Sequence, residues 1–195
     1  MNELAPERDK WIRQNKYYYE NIINFLKFNV PKGSKVIEIG SGTGYLLDKL
    51  EPSLGVGIDI SQRMIDISRK NYPQYNFYHM NVNEILIEEI FDFVIISDTI
   101  GYFKDIQRSF NQIKKLCNED TRIIITYINF LWLPVLNFAE FVKLKMPQVR
   151  NNWLDIPDIS NLLYLNEYDL IKSGRKFLLP VYIPFISEFI NRFIA

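Results

Sequence analysis

Cysteine and histidine are nearly absent from this sequence of 195 residues, which contains one of each, Cys117 and His79. A single cysteine excludes an intramolecular disulfide and any zinc site built from a cluster of cysteines. The chain is long enough to bury a sizeable apolar core without either. We therefore expect a fold that depends on that core and carries no structural metal.

Excess charge is also absent, because 23 basic side chains balance 23 acidic ones. A net charge of zero gives no general electrostatic attraction for nucleic acid, so we expect no nucleic-acid partner. The first residues have neither the basic nor the apolar region of a signal peptide. The most apolar stretch, 177–195, is interrupted by Pro180, Pro184, Glu188 and Arg192, which is not typical of a membrane span. These absences favour a cytoplasmic protein.

Apolar runs suited to buried strands alternate with helical patterns along the first two thirds of the chain. Strands are predicted at 35–39, 55–60, 75–80, 91–97 and 122–127. The spacing of apolar residues predicts helices at 9–29, directly after position 44, at 61–70 and around 106–117. Such alternation is typical of a doubly wound α/β fold, in which helices cover both faces of a mostly parallel sheet in three αβα layers.

The pattern changes after Asn129. Residues 130–145 and the segment that begins at Pro157 are predicted to be helical, 168–179 to be a strand, and 183–195 to form a last helix. We interpret the whole chain, 1–195, as a single domain with an N-terminal helical part (1–30), a core (31–129) and a C-terminal part of helices and a strand (130–195).

A glycine turn follows the first predicted strand directly, in the sequence Glu38-Ile39-Gly40-Ser41-Gly42-Thr43-Gly44. Such a turn lets the backbone approach a ligand closely, and the start of the next helix offers unpaired N–H groups. Asp59 lies 21 residues after Glu38, where an acid can accept hydrogen bonds from both ribose hydroxyls of an adenosine-type cofactor. The alternative is a tight structural turn without a ligand.

Two positions indicate which class of cofactor the turn would bind. The dinucleotide fingerprint needs a third glycine at position 45, where this chain has Tyr45, and the carboxylate of Glu38 would repel a pyrophosphate. A cationic ligand suits Glu38 better. A nicotinamide-dependent oxidoreductase is therefore a rival interpretation that these two residues disfavour.

The turn resembles the E/D-x-G-x-G-x-G motif of class I S-adenosylmethionine-dependent methyltransferases. The resemblance implies S-adenosylmethionine as cofactor and methyl transfer as the reaction. It extends through most of the chain, so that 1–30 would be a lid, 31–129 the cofactor-binding core and 130–195 the acceptor side. The cofactor-binding residues that it implies are Glu38, Gly40, Ser41, Gly42, Gly44, Asp59, Ile60, Met64, Asn81, Val82, Ser97 and Tyr18.

The resemblance also assigns roles within that set. Asp59 would bind the ribose, Ile60 would cover the adenine, and Tyr18 would reach the carboxylate of the cofactor. Asn81 departs from the family pattern, which has an acid there for the adenine amino group, although its side-chain oxygen can still accept that hydrogen bond. For the tyrosine run 17–19 the alternative is a helix packed on the sheet. We also expect the sheet to lack the last strand of the family.

Several segments resemble a bacterial subgroup of these methyltransferases that is found fused to or beside family 2 glycosyltransferases. They are 13–19, 97–102, 130–134, 144–148, 152–154 and 178–184. The resemblance implies a small-molecule, sugar-containing or lipid-linked acceptor, and a glycosyltransferase as a partner. The last predicted helix would either dock on the sheet or make peripheral contact with a membrane near a lipid-linked substrate.

Methyl transfer from a sulfonium is a direct displacement, and it needs a base only when the acceptor is a hydroxyl or another weakly acidic group. Asp98 is the candidate base, because it follows the fourth strand at the cofactor crevice; the alternative is an acid in a solvated loop or one that caps a helix. We interpret His79 as packed at a strand end. Candidates for an aromatic acceptor wall are Tyr102, Tyr127, Trp132 and Trp153. A rival function is a regulatory domain that binds the cofactor without catalysis.

Overall fold

The centre of the molecule is a parallel sheet of five strands, seen in a computed structural model that describes residues 2–128, 133–142, 152 and 154–176. The strands are β1 (Lys35–Ile39), β2 (Leu54–Asp59), β3 (Asn76–His79), β4 (Phe93–Ser97) and β5 (Arg122–Thr126). They lie side by side in the order β3-β2-β1-β4-β5. The strand order therefore reverses at β1, because β2 and β3 lie on one side of it and β4 and β5 on the other. This reversal opens a crevice at the carboxyl ends of β1 and β4.

Helices precede, connect and follow the strands. In the described ranges they are α1 (Arg8–Gln14), α2 (Lys16–Asn29), α3 (Tyr45–Leu50), α4 (Gln62–Asn71), α5 (Ile106–Ile113), α6 (Leu133–Phe141) and α7 (Ile156–Leu165). Side chains of Ser61, Asp105 and Asp155 accept hydrogen bonds from backbone N–H groups at the starts of α4, α5 and α7, which stabilises these helix ends. None of these helices combines the length and the apolar content that a membrane crossing needs.

The core consists of two apolar clusters, one on each face of the sheet. Because side chains alternate along a strand, Val36 of β1 and Ile95 of β4 belong to one cluster, whereas Ile37 of β1 belongs to the other. α2, α3 and α4 contribute to the first cluster, and α5 and α7 to the second. The structure therefore confirms the predicted doubly wound α/β fold with three layers.

Two predictions about local structure are wrong. The helix predicted at 9–29 is divided at Asn15, whose side-chain amide donates to the carbonyl of Trp11 and whose φ of −101° and ψ of 34° are not helical. The strand predicted at 168–179 is irregular over 168–176, since no described residue pairs with the outer edge of β5 and a strand needs a neighbour. The predicted helix at 183–195, Trp132 and Trp153 lie outside the described residues.

Candidate functional site

The glycine turn is attached to the end of β2 by backbone hydrogen bonds. The N–H groups of Gly40 and Ser41 both donate to the carbonyl of Ile58, at 2.8 and 3.0 Å. The N–H of Gly44 then donates to the carbonyl of Ser41 at 2.9 Å, and α3 begins at the next residue. The turn is therefore a fixed bridge between β1, β2 and the start of α3.

The three glycines of the turn all have positive φ, but they serve different purposes. Gly40 (φ 77°) is packed against the side chain of Thr99, and Gly44 (φ 82°) against the ring of Phe77, so that neither leaves room for a Cβ. At Gly42 (φ 53°) the nearest atom to a Cβ would be Nε of Arg8 at 4.0 Å. Of the three, only Gly42 has open space where a Cβ would stand.

Asp59 connects the turn to the start of α4. Its Oδ2 accepts a hydrogen bond from the N–H of Gly42 at 2.9 Å, and its Oδ1 accepts one from the N–H of Ser61 at 2.8 Å. Burial raises the pKa of Asp59, although these N–H groups and Arg8 oppose the shift. Each carboxylate oxygen has a second acceptor position. The two oxygens can therefore also accept hydrogen bonds from two hydroxyls of one ligand.

Glu38 lies beneath the turn and is only 3% exposed. Burial raises the pKa of its carboxyl group to about 8; the N–H of Leu47 and Arg8 act against this shift, and Asp59 adds to it. Its buried Oε2 has no hydrogen-bond partner among the described residues. A buried acid in this state suits a ligand that carries a positive charge, because a nearby cation stabilises the ionised form. The site therefore fits the cationic cofactor that the sequence predicts.

Replacing Glu38 by glutamine is expected to stabilise the ligand-free protein increasingly as the pH rises from about 5 towards 8. A raised carboxyl pKa favours the protonated form in the folded state, so this contribution to stability is complete below pH 4.5 and is lost as the pH rises towards 8. At about 1.4 kcal/mol per pH unit, the native protein should lose about 2 kcal/mol relative to Glu38→Gln between pH 5 and pH 7. Urea unfolding of both proteins at several pH values measures the difference, and parallel pH profiles would contradict it.

Apolar and amide side chains form the far side of the crevice, beyond Asp59. Ile60 is 59% exposed and Met64 is buried, and both line the crevice. Asn81 and Val82 follow β3 and line it as well. The side-chain oxygen of Asn81 already accepts a hydrogen bond from the N–H of Asn83 at 3.0 Å, which fixes its orientation. One acceptor position of that oxygen remains for a ligand.

Asp98 lies at the end of β4, next to Ser97, and has a φ of 54°, which is rare for a residue other than glycine. Its N–H still donates to the carbonyl of Thr126 at 2.9 Å. Its carboxylate accepts a hydrogen bond from the hydroxyl of Tyr18 at 2.5 Å. Tyr18 was expected to reach the carboxylate of a cofactor, and in the structure its hydroxyl is directed to Asp98.

Arg8 is a site residue that the sequence did not reveal. Its guanidinium lies 5.8 Å from the centre of the Tyr19 ring. The neighbouring Asp9 accepts a hydrogen bond from the hydroxyl of Thr43 at 2.7 Å, which ties α1 to the glycine turn. Trp11, on the same side of α1, lines the crevice, and its buried Nε1 has no hydrogen-bond partner among the described residues. The only signal for this role in the sequence is that the cation Arg8 and the aromatic residue Trp11 are three positions apart, as neighbours on one helix face are.

The structure brings most of the predicted site residues to one crevice. Those that line it are Tyr18, Gly40, Gly42, Asp59, Ile60, Met64, Asn81, Val82, Ser97 and Asp98. Glu38, Ser41 and Gly44 do not line it; they are buried within or below the turn. His79 is positioned by a hydrogen-bonding contact between its Nε2 and the carbonyl of Ile60 at 3.0 Å. No cluster of three metal-ligating side chains occurs among the described residues.

The sequence is similar to one known family and to several curated proteins. A family model described as a methyltransferase domain matches residues 11–168. The malonyl-(acyl-carrier protein) O-methyltransferase of Acetivibrio thermocellus is 22% identical over 141 residues, which cover 69% of this chain and 50% of that protein. The Bacillus cereus protein of the same name is 25% identical over 116 residues, 55% of this chain and 43% of that protein. The chain thus spans about half the length of the curated relatives it matches.

Solved structures with the same arrangement of strands and helices are also known. A protein of Thermotoga maritima, described as an S-adenosylmethionine-dependent methyltransferase and possible histamine N-methyltransferase, superposes with a TM-score of 0.72 at 19% identity, over 87% of this chain and 79% of that one. Magnesium protoporphyrin IX methyltransferase of Synechocystis, solved with bound S-adenosylhomocysteine, gives a TM-score of 0.64 at 21% identity, over 85% and 78%. At these identities the likeness establishes the fold.

Proposed function

The chain belongs to the methyltransferase domain family. From that premise we propose that it uses S-adenosylmethionine to methylate a small molecule or a sugar-containing or lipid-linked intermediate. The observation that carries the proposal is the junction of the glycine turn, Asp59 and Asp98 at one crevice. The first two can hold an adenosyl group, and Asp98 can hold the acceptor beside it. The acceptor class goes beyond the family and rests on the subgroup segments of the sequence.

In this proposal, different residues around the crevice bind different parts of the cofactor. Asp59 accepts hydrogen bonds from the ribose hydroxyls, Ile60 and Val82 pack on the adenine, and Asn81 accepts from its amino group. Met64 completes that wall. The backbone of Gly40, Ser41 and Gly42 lies along the amino-acid end, Gly44 keeps the turn in shape, and Glu38, buried beneath the turn, acts on the ammonium through its charge. Ser97 borders the methyl end. When bound, S-adenosylmethionine supplies an electrophilic methyl group.

Arg8 takes the role first expected of Tyr18, namely binding the carboxylate of the cofactor. The hydroxyl of Tyr18 is engaged by Asp98, whereas the guanidinium of Arg8 lies beside Gly42 at the glycine turn. Trp11 Nε1 lies one helical turn further along α1 and supplies a second donor. A guanidinium and an indole N–H are both suited to a carboxylate. The N-terminal helices thereby act as the proposed lid.

Replacing Arg8 by methionine is expected to weaken binding of S-adenosylhomocysteine by about 30-fold, because a hydrogen bond to a charged group contributes about 2 kcal/mol. Isothermal titration measures this loss. The matched ligand is 5′-methylthioadenosine, which lacks the amino-acid end and should bind both proteins alike. Arg13→Met, on an exposed position of the same helix, is the control variant. Equal losses for the two ligands would show that Arg8 does not contact the carboxylate.

A binding titration and a turnover assay together test the proposed function. We expect S-adenosylhomocysteine to bind and radiolabelled methyl groups to appear on sugar-containing or lipid-linked acceptors. Binding without turnover on any acceptor would instead favour a regulatory domain.

Co-purification with a glycosyltransferase would support the proposed partner. Flotation with liposomes tests the proposed membrane contact of the C-terminal segment, and a protein that stays at the bottom of the gradient would end that part of the proposal.

A further inference from the structure

Building on the proposed binding of S-adenosylmethionine, we infer that Asn81 selects adenine over 6-oxopurines, and that Asn83 and Ser109 hold it in the selective orientation. A side-chain amide has an acceptor on one side and a donor on the other, so an asparagine that rotates freely can bind either kind of base. Adenine carries an amino group at position 6, which donates. A 6-oxopurine carries an oxygen there, which accepts. The contacts around Asn81 decide between the two.

A turn over residues 81–84 fixes the amide of Asn81. The N–H of Asn83 donates to the side-chain oxygen of Asn81 at 3.0 Å, and the N–H of Glu84 donates to the backbone carbonyl of Asn81 at 2.9 Å. A backbone N–H can only donate, so the atom that faces it must be the oxygen. Rotating the amide by 180° would set its NH₂ group against this N–H, which would then lose its partner. The oxygen therefore stays in place, with its second acceptor position left for a ligand.

Helix α5 holds Asn83 in place. The hydroxyl of Ser109, a fully buried residue, lies 2.7 Å from the side-chain oxygen of Asn83 and 2.7 Å from the carbonyl of Asp105. In addition, Nε of Arg108 donates to the backbone carbonyl of Asn83 at 3.1 Å. The side chain and the backbone of Asn83 are thus both bound to α5, and its N–H keeps a fixed direction towards Asn81.

The turn borders the place proposed for the adenosyl group. Asn81 and Asn83 line the same crevice as Asp59 and Ile60. The N–H of Met80, directly before the turn, donates to the carbonyl of Asp59 at 3.0 Å, which ties the turn to the proposed ribose site. A 6-amino group would donate to the side-chain oxygen of Asn81, whereas a 6-oxo group would meet it with a second acceptor. The fixed asparagine therefore acts towards the base as an acceptor only, as a carboxylate would.

Isothermal titration compares S-adenosylhomocysteine with S-inosylhomocysteine, which has an oxygen in place of the 6-amino group. We expect the native protein to prefer the adenosyl ligand by about 30-fold, because the inosyl ligand loses a hydrogen bond and leaves polar groups without partners. Asn81→Asp, whose carboxylate also only accepts, should keep this preference. Asn81→Gln has a longer side chain, which moves the amide away from the N–H of Asn83 and lets it rotate, so the preference should fall to about threefold.

Ser109→Ala tests the part played by α5. Without the hydroxyl Asn83 can move, so the preference should fall to about tenfold or less. Ser68→Ala is the matched control, because it also removes a fully buried serine hydroxyl, one that donates to the carbonyl of Ile65 within α4 at 2.9 Å. This control should keep the native preference. The ratio of the two affinities separates the proposed role from general destabilisation, which weakens both ligands alike.

The two variants of Asn81, which is only partly buried, decide the question if Ser109→Ala does not fold. Equal affinities of the native protein for the two ligands, the native preference in Asn81→Gln, or its loss in Asn81→Asp would overturn the inference and leave the proposed function intact. The native preference in Ser109→Ala would overturn the part assigned to α5. Failure of both ligands to bind would instead refute the proposed function.

Discussion

Alanine at position 44 is expected to lower the free energy of unfolding by about 3 kcal/mol. A left-handed backbone costs a residue with a Cβ about 1 to 2 kcal/mol, and forcing extra volume into a packed core costs about as much again. Gly44 has a φ of 82°, and a Cβ there would lie 2.7 Å from Cζ of Phe77, which is 2% exposed. Both costs therefore apply at this position.

Gly33 provides a matched control, because it has almost the same φ of 83° and no atom within 4 Å of a Cβ. Gly33→Ala should therefore cost only the backbone part, about 1 kcal/mol. In a chain of this size the two variants should lower the melting temperature by about 10 °C and about 3 °C respectively. Calorimetry measures both values.

Shortening the side chain at position 77 should restore part of the stability that Gly44→Ala removes. Phe77→Leu deletes the ring atoms nearest to the new Cβ, so the double variant should be more stable than the sum of the two single changes by about 1 kcal/mol or more. If Gly33→Ala and Gly44→Ala lower the free energy of unfolding equally, and the effects of Gly44→Ala and Phe77→Leu are additive, then contact with Phe77 does not shape the turn. Gly44 would then be free to serve the ligand directly, as the sequence alone suggested.

The strands of the sheet could be predicted because local sequence is enough to specify them. Runs such as Phe93–Ser97 and Arg122–Thr126 are rich in β-branched residues and bounded by turn residues. The first is buried at its centre and the second is partly buried, so both suit strands of a parallel sheet. The turn at Gly40–Gly44 and Asp59 were found for a similar reason, since their spacing follows from one strand, one helix and the next strand.

Arg8 could not be predicted, because its position depends on tertiary packing. Ala5, buried to 1% exposure, and the hydrogen bond between Asp9 and Thr43 place α1 over the turn, and no periodic pattern records either contact. The hydrogen-bond partner of Tyr18 could not be predicted for the same reason. A helical pattern predicts the helix face on which Tyr18 lies, but not the group that its hydroxyl contacts. The break at Asn15 was missed because an asparagine side chain that bonds to its own helix interrupts the helix without changing the apolar spacing.

Replacing Asp59 by alanine is expected to weaken binding of S-adenosylhomocysteine by about 100-fold. In the proposed function Asp59 accepts two hydrogen bonds from ribose hydroxyls, which together contribute about 3 kcal/mol and are absent from the variant. It also loses the two backbone contacts, to Gly42 and Ser61, that hold the turn against the start of α4. Isothermal titration would measure the affinity, and Asp66→Ala, an exposed acid on α4, is the control.

The ribose contact can be separated from the loss of the backbone contacts by changing the ligand as well as the protein. A 2′,3′-dideoxy analogue of S-adenosylhomocysteine lacks the hydroxyls that Asp59 is proposed to bind. It should bind the native protein weakly and lose little more affinity in the alanine variant, because the contact is already missing. If Asp59 only shaped the turn, both ligands would lose the same factor. Equal losses would therefore leave Asp59 as a structural residue, and the ribose would need another acceptor in the crevice.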